Sequence, residues 1–366
     1  MSDWLVHLVQ VDKFGKHPNA DSLSITQVYG QNVIFRTEGL KEGDLAVFIP
    51  PDSVLPTDPT HPIFKDSPGL KLGQRIDAVR LRGIFSNGFL VPASVFFSES
   101  ELKEIPLGTH VAERIGITKY QDDGDVLSTR GDNERDPGYM PTYTDIEGWP
   151  KHRYVIPEGE EVVLTEKIHG ANARFCYRAG RLWVGSRTGI KAQGIRADGS
   201  EANLWWKVAK DIGLEDRFKK LIAGDYVSDV LKEYNPSLFE GTVLYGEVYG
   251  QVQDLKYGVA SGAQFRVFDS WNPNTGNYND WAVTVAIAEV MGLETVPVLY
   301  RGPWKAELEE MRNGPSVLYP GHTREGFVIK PVVEQVSLYN PEHRNCYFGR
   351  KIFKYVGEDY KTRKKK

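Results

Sequence analysis

Thr165-Glu166-Lys167-Ile168-His169-Gly170-Ala171-Asn172 follows an apolar run, Val162-Val163-Leu164, that reads as a strand. A lysine beside an acidic residue, just ahead of a His-Gly pair, is an unusual way to leave a strand. The chemistry that needs such an amine is attack on a nucleotide α-phosphate, giving a lysyl-nucleotide that keeps the energy of the triphosphate. Lysine resists this role: with a pKa of ~10.4, only about one amine in a thousand is free near neutral pH. A site would have to offset ~4 kcal/mol through burial, neighbouring cations or metal. Taken alone, an exposed strand-end lysine beside a turn glycine is the commoner arrangement, so the reading depends on what the rest of the chain supplies.

The 366 residues allow two domains with separate cores. A hydrophobic share of 40% and a charged share of 26% describe an ordinary globular chain, and 18 tyrosines with 8 tryptophans leave aromatic surface for stacking. The two cysteines, Cys176 and Cys346, lie far apart, which disfavours a disulfide framework or a cysteine zinc site and favours a reducing compartment. The start, Met1-Ser2-Asp3-Trp4, lacks a basic region followed by a long apolar one, and no later run is long enough to span a bilayer. A cytoplasmic protein without membrane partners is expected. The net charge of −4 argues against bulk attraction to nucleic acid, although the basic stretch from Arg350 to Lys366 is either a solvated end or a phosphate contact.

Residues 1–117 read as a β domain. Short apolar runs at Leu5–Val11, Ser24–Tyr29, Val33–Arg36, Leu45–Ile49, Arg75–Leu81 and Gly88–Val91 are punctuated by turn residues such as Gly30, Gly43-Asp44, Pro50-Pro51 and Asn87-Gly88. Five or six such strands suggest a small closed barrel. Within it, His17-Pro18-Asn19-Ala20-Asp21-Ser22-Leu23 resembles the signature loop of OB-type tRNA-binding domains, with a turn or capping role the simplest account of His17. Residues 118–141 carry many charges and breakers and read as a flexible linker.

Residues 142–366 mix strands and helices in an α+β pattern, mainly antiparallel. A hairpin is expected across the Ala179-Gly180 turn, and helices at Trp205–Phe218, Trp281–Met291 and Trp304–Arg312. Strands are expected at 243–249, 265–269, 326–330 and 351–355. The hairpin places Lys167 at a sheet-edge opening.

In chain order these elements carry Lys167-Ile168-His169-Gly170, Ser186-Arg187-Thr188, Tyr245-Gly246-Glu247, Phe265-Arg266-Val267-Phe268-Asp269, Glu325-Gly326-Phe327-Val328-Ile329-Lys330 and Lys351-Ile352-Phe353-Lys354. The ordered series resembles the covalent nucleotidyltransferases, the ATP-dependent ligases and capping enzymes. The form Lys-Ile-His-Gly-Ala-Asn is similar to the RNA ligase 2 branch, and an OB-like domain in front is similar to the OB-headed nick-sealing RNA ligases.

That resemblance implies an N-terminal OB-like barrel and a nucleotidyltransferase domain joining RNA 3′-hydroxyl and 5′-phosphate ends with ATP and Mg²⁺ or Mn²⁺. It makes Lys167 the nucleophile and Arg187 a contact to the nucleotide or the incoming 5′-phosphate. Glu247 would bind the ribose hydroxyls and Phe268 the adenine face, where plain core packing is the competing account. Glu325, with Glu247, would hold metal. Lys330 and Lys354 would neutralise the α-phosphate and depress the Lys167 pKa, and each is otherwise a surface lysine. Glu166 would read the adenine amino group, and Asn172 would act at the sealing step. Two departures stand out: His169 removes a carboxylate other ligases offer, and Ile352 stands where a second lysine is usual, with Lys351 facing away. A monomer acting on nicked duplex RNA or an RNA-DNA hybrid is the expectation. A DNA ligase, a GTP-using capping enzyme, or an OB-type tRNA-binding protein with a degenerate catalytic domain are the alternatives.

Overall fold

The computed structural model describes residues 4–120, 133–195, 199, 201, 203–337, 347 and 349–363. Two compact units make up the chain, Met1–Asp123 with Lys361–Lys364 and Gly124–Tyr360 with Lys365–Lys366.

In the first unit, the Leu45–Ile49 strand runs antiparallel between His7–Gln10 and Phe89–Pro92. Its side chains alternate between two cores, as strand geometry requires. Val47 and Ile49 join Val6, Leu8 and Val91, whereas Ala46 and Phe48 join Val33, Phe35 and Leu90. A second sheet carries Gly15–His17, Ala20–Val28 and Gln31–Arg36. The expected strand over 75–81 is two pieces, Arg75–Ile76 and Val79–Leu81, which belong to different sheets. His17 is structural: its Nε2 lies 3.1 Å from the Leu81 carbonyl, and its Nδ1 accepts from the Asn19 amide at 3.1 Å.

The second unit is built on two five-stranded sheets. One runs in the order Glu147–Gly148, Phe353–Val356, Gly326–Pro331, Glu161–Lys167, Val298–Pro303, antiparallel except for its first pair. The other runs Arg181–Ser186, Ala171–Arg178, Val243–Gly250, Ala263–Asn272, Asn277–Tyr278. Ala179 and Gly180, at φ 53° and 74°, close the expected hairpin with the left-handed pair that matches strand twist. Lys167 ends an inner strand, in register with Gly326 on one side while the pairing on the other side ends at Thr165, and the chain then crosses to the second sheet. It is not at a sheet edge.

The helix expected over 205–218 divides into Leu204–Asp211 and Leu214–Ala223, because Gly213 at φ 61° turns the chain between them. Trp281–Val290 is helical as expected. Ala306–Arg312 is a 3₁₀ run, and its Leu308 and Met311 pack with Trp304 against the cluster containing Trp149.

Both ends of the supposed 118–141 linker belong to folded units. Thr118–Lys119 pairs with Ser53–Val54, and Met140 is buried with Tyr143, Cys176 and Tyr245. Apolar side chains at Tyr139, Met140 and Tyr143 supply the burial that a solvated linker lacks. The charged middle of that segment, 121–132, lies outside the described residues, as does Cys346. Cys176 is a buried free thiol. The basic stretch likewise begins inside the fold, since Arg350 is buried in ion pairs; residues 364–366 lie outside the described residues. Among the described residues, no helix is long and apolar enough to cross a membrane.

Candidate active site

The crossover between the two sheets forms a cavity of about 200 Å³. Alternation builds one wall of it: Thr165 and Lys167, Val328 and Lys330, and Lys354 lie on neighbouring strands, with Thr165 and Lys354 both in register with Val328. The second sheet contributes Asn172, which is in register with Glu247. Of the residues expected at the site, Lys167, Glu166, Asn172, Arg187, Glu247, Phe268, Lys330 and Lys354 all line this cavity.

Phe268 reaches it through an irregularity. Tyr245 pairs with Asp269 and Gly246 with Val267, so Phe268 is the extra residue of a β-bulge. A bulge re-aims a side chain. Phe268 thereby lines the cavity while the next residue, Asp269, bonds to another lining residue, Lys330.

Glu325 stands beside the cavity against Lys167. Gly326, in register with Lys167, has φ +155° and sits so close to the Tyr355 carbonyl that a Cβ could not fit. This tight entry to the strand brings Glu325 Oε1 to 2.7 Å from Lys167 Nζ. Burial works against the charged Lys167, but Glu325 and Glu247 outweigh it and raise its pKa. Burial would likewise raise Glu325, yet Lys167 and His169 hold it down at about 2. Burial pushes Glu247 up to about 7, with Lys167 opposing and Glu325 adding.

The expected depression of the Lys167 pKa by Lys330 and Lys354 is therefore not found. Lys167 sits among carboxylates, and Lys330 is engaged elsewhere, 3.0 Å from Asp269 Oδ1. Arg187 lines the mouth with a half-exposed side chain and pairs with Asp145. Ile352 is buried on the cavity wall, and Lys351 faces away toward Gln335, with Nζ 2.8 Å from Oε1.

Three oxygens at this site are buried without a hydrogen-bond partner: Glu166 Oε1, Asn172 Oδ1 and Glu325 Oε2. Such orphans are costly unless something else satisfies them. Glu166 Oε2, by contrast, accepts from the Val317 amide at 2.7 Å.

Sequence reading missed Tyr143, Thr144 and Ile146, which line the cavity from just beyond the supposed linker. It also missed Asp254, Tyr257 and Tyr360, which surround His169. Tyr143 and Ile146 offered a faint signal, apolar residues recurring after Met140. The loop residues offered none.

A lysine paired with a buried carboxylate stands over a cavity that holds an aromatic face and two further lysines, in a nucleotidyltransferase-like domain. Residues 160–356 match the RNA ligase family, more than half of the chain, and residues 5–93 match an OB-fold domain. The chain belongs to the RNA ligase family and is a ligase headed by an OB-fold domain.

Its fold is similar to that of the Naegleria gruberi RNA ligase. A lysine-to-alanine variant of that enzyme with ATP and Mn superposes with a TM-score of 0.73 at 20% identity, over 98% of both chains. A glutamate-to-alanine variant with AMP and Mn gives the same figures. The form with PPi gives 0.72 at 21%, over 98% of this chain and 97% of that one. No curated protein sequence matches the chain.

Proposed function

We propose that this RNA ligase uses ATP to adenylylate Lys167, passes AMP to an RNA 5′-phosphate and seals it to a 3′-hydroxyl at a nick in duplex RNA or an RNA-DNA hybrid. The observation that carries the reading is the convergence of Lys167, Glu166, Arg187, Glu247, Phe268, Lys330 and Lys354 on one cavity. Structures of the Naegleria gruberi enzyme with ATP, AMP and Mn lend support from the same fold.

Adenine is favoured over guanine by Glu166. Its Oε2 is occupied by Val317 and its Oε1 is an unfilled acceptor, which suits the donating 6-amino group of adenine and repels the 6-oxygen of guanine. Phe268 offers a ring face to the base, and Glu247 meets the ribose hydroxyls. Lys330 and Lys354 would balance charge on the α-phosphate as Lys167 attacks in line and pyrophosphate leaves.

The residues present fit a divalent metal. Glu325 Oε2 is an open buried carboxylate oxygen, and Glu247 is a second carboxylate close enough to act on both Glu325 and Lys167. Among the described residues no three His, Cys, Asp or Glu side chains form a closed metal cage. Two carboxylates suit Mg²⁺ or Mn²⁺ that keeps several waters. Bound there, the ion would supply charge neutralisation to the phosphates. Glu325 and Glu247 would hold it, and Asn172, with its unfilled Oδ1, would serve the sealing step. The reading carries with it a monomer working in the cytoplasm.

Incubation with α-labelled ATP or GTP tests the reading. ATP should leave an acid-labile, base-stable label on the protein, GTP should not, and Lys167→Ala should abolish it by removing the attacking amine. Undiminished labelling of that variant removes Lys167 from the mechanism. Sealing should also prefer ribose at the 3′-hydroxyl end of the break, and equal sealing of all-DNA nicks would favour a DNA ligase.

A further inference from the structure

Asp254 lies in the loop beyond the Val243–Gly250 strand, outside every motif of the ordered series. Its Oδ1 is 2.6 Å from His169 Nε2. On the other edge of the imidazole, Nδ1 lies 2.8 Å from the Tyr360 hydroxyl. The backbone N–H of His169 donates to the Tyr257 hydroxyl at 2.6 Å. His169 is thus fixed at both ring nitrogens and at its main chain.

This clamping has a consequence for Glu325. The His169 Nδ1 edge stays 3.7 Å from Glu325 Oε2, within reach of charge but beyond hydrogen-bond distance, and that buried oxygen has no hydrogen-bond partner. A small swing of the ring would satisfy it. A buried carboxylate oxygen gains strongly from an imidazole donor, so the open arrangement persists only because the ring is held elsewhere.

We propose that Asp254 is a positioning residue that holds His169 away from Glu325 Oε2 and so reserves that oxygen for the divalent cation. The proposal rests on Glu325 being a metal-holding carboxylate. It also gives the histidine at position 169 a tolerable place in a site that binds cations, because the imidazole is turned toward Asp254 and Tyr360. Such outer residues set metal affinity by orienting what surrounds the direct ligands.

The loop does not depend on Asp254 for its shape. Gln253 Nε2 donates to the Gly170 carbonyl, and Gln251 Nε2 donates to the Val259 carbonyl at 2.6 Å. Asp254→Ala should therefore leave the loop in place and free the Nε2 edge of the ring.

The test is Mn²⁺ titration of the full-length protein, with free Mn²⁺ read from its electron paramagnetic resonance signal, so that no turnover is required. Asp254→Ala should weaken Mn²⁺ binding about tenfold or more, because the freed imidazole claims Glu325 Oε2. Removing the ring as well, in Asp254→Ala/His169→Ala, should return binding toward the wild-type value, although the double variant lacks even more of the site. A general loss of structure or of negative charge would not be reversed in that way. Wild-type affinity in Asp254→Ala, or a double variant that binds no better than the single one, overturns the proposal. Glu325→Ala separates the two levels: it should abolish the binding, and undiminished binding would instead overturn the metal reading on which the proposal stands.

Discussion

Lys330 Nζ stands 3.0 Å from Asp269 Oδ1 beneath the cavity, while Arg350 Nη2 stands 2.6 Å from Oδ2, and all three groups are buried. The Tyr143 hydroxyl donates to Oδ2 at 2.8 Å. One carboxylate therefore holds a candidate phosphate-binding lysine and ties the Arg350 segment to the Ala263–Asn272 strand. Asp269→Ala would leave the buried Lys330 without its carboxylate and strip Arg350 of one of its two, the other being Glu334, at a cost of about 3–5 kcal/mol. A lowered denaturation midpoint together with lost adenylylation is the expected result. A stable, active variant would remove Asp269 from its anchoring role.

The same carboxylate should make stability depend on acid. Burial alone would raise the Asp269 pKa, but Arg350 and Lys330 hold it below its ordinary value of 3.8. Because the folded value lies below the unfolded one, this contribution is fully present above the unfolded pKa and is lost as pH falls through the folded one. Melting temperature should therefore fall below about pH 4, and Asp269→Asn should lack that part of the acid slope. Parallel slopes for the two proteins would contradict this.

Local pattern carried much of this protein into view. The run before Lys167, the Ala179-Gly180 hairpin and the Trp281–Val290 helix follow from alternation, turn chemistry and helical spacing over a few residues. Gly213 was a readable stop that the longer helical pattern masked. The parts that escaped depend on distant pairing. Asp269 lies within a motif, yet its meaning comes from Arg350 on another segment, and the bulge that turns Phe268 into the cavity exists only in the pairing with Tyr245 and Gly246. Asp254 and Tyr360 meet His169 only after the chain has folded back, and no spacing announces that. The raised Lys167 pKa is of the same kind, since Glu325 and Glu247 come from different sheets or their borders.

Glu166 yields a prediction about the base. If its open Oε1 accepts from the 6-amino group, purine riboside triphosphate, which lacks that group, should bind about tenfold or more weakly than ATP, from a buried acceptor left unsatisfied at ~1–3 kcal/mol. In Glu166→Ala the two nucleotides should bind almost equally, whatever the variant does to overall affinity. The ratio of the two affinities is the measurement, because general damage to the pocket lowers both. An undiminished preference for ATP in Glu166→Ala would place base recognition elsewhere.

Removal of the OB-fold domain separates charging from sealing. Every residue that lines the cavity lies between Tyr143 and Lys354, and the second unit has its own cores, one around Phe175, Leu244 and Phe218 and another around Trp149 and Phe353. The clusters around Val47 and Phe48 belong to the first unit alone. A chain beginning before Asn133 should keep Tyr139, Met140 and Tyr143, which pack into the second unit, and should still label itself with ATP. OB barrels grip polynucleotides along a groove with basic and aromatic contacts, so the shortened chain should seal nicks more slowly at limiting substrate. Self-adenylylation and sealing are to be measured on the same sample after circular dichroism shows that it is folded. Sealing at the full-length rate would exclude the gripping role. Loss of both activities from a folded sample would show that the first domain supports the catalytic one, and loss of sealing alone assigns it to the RNA.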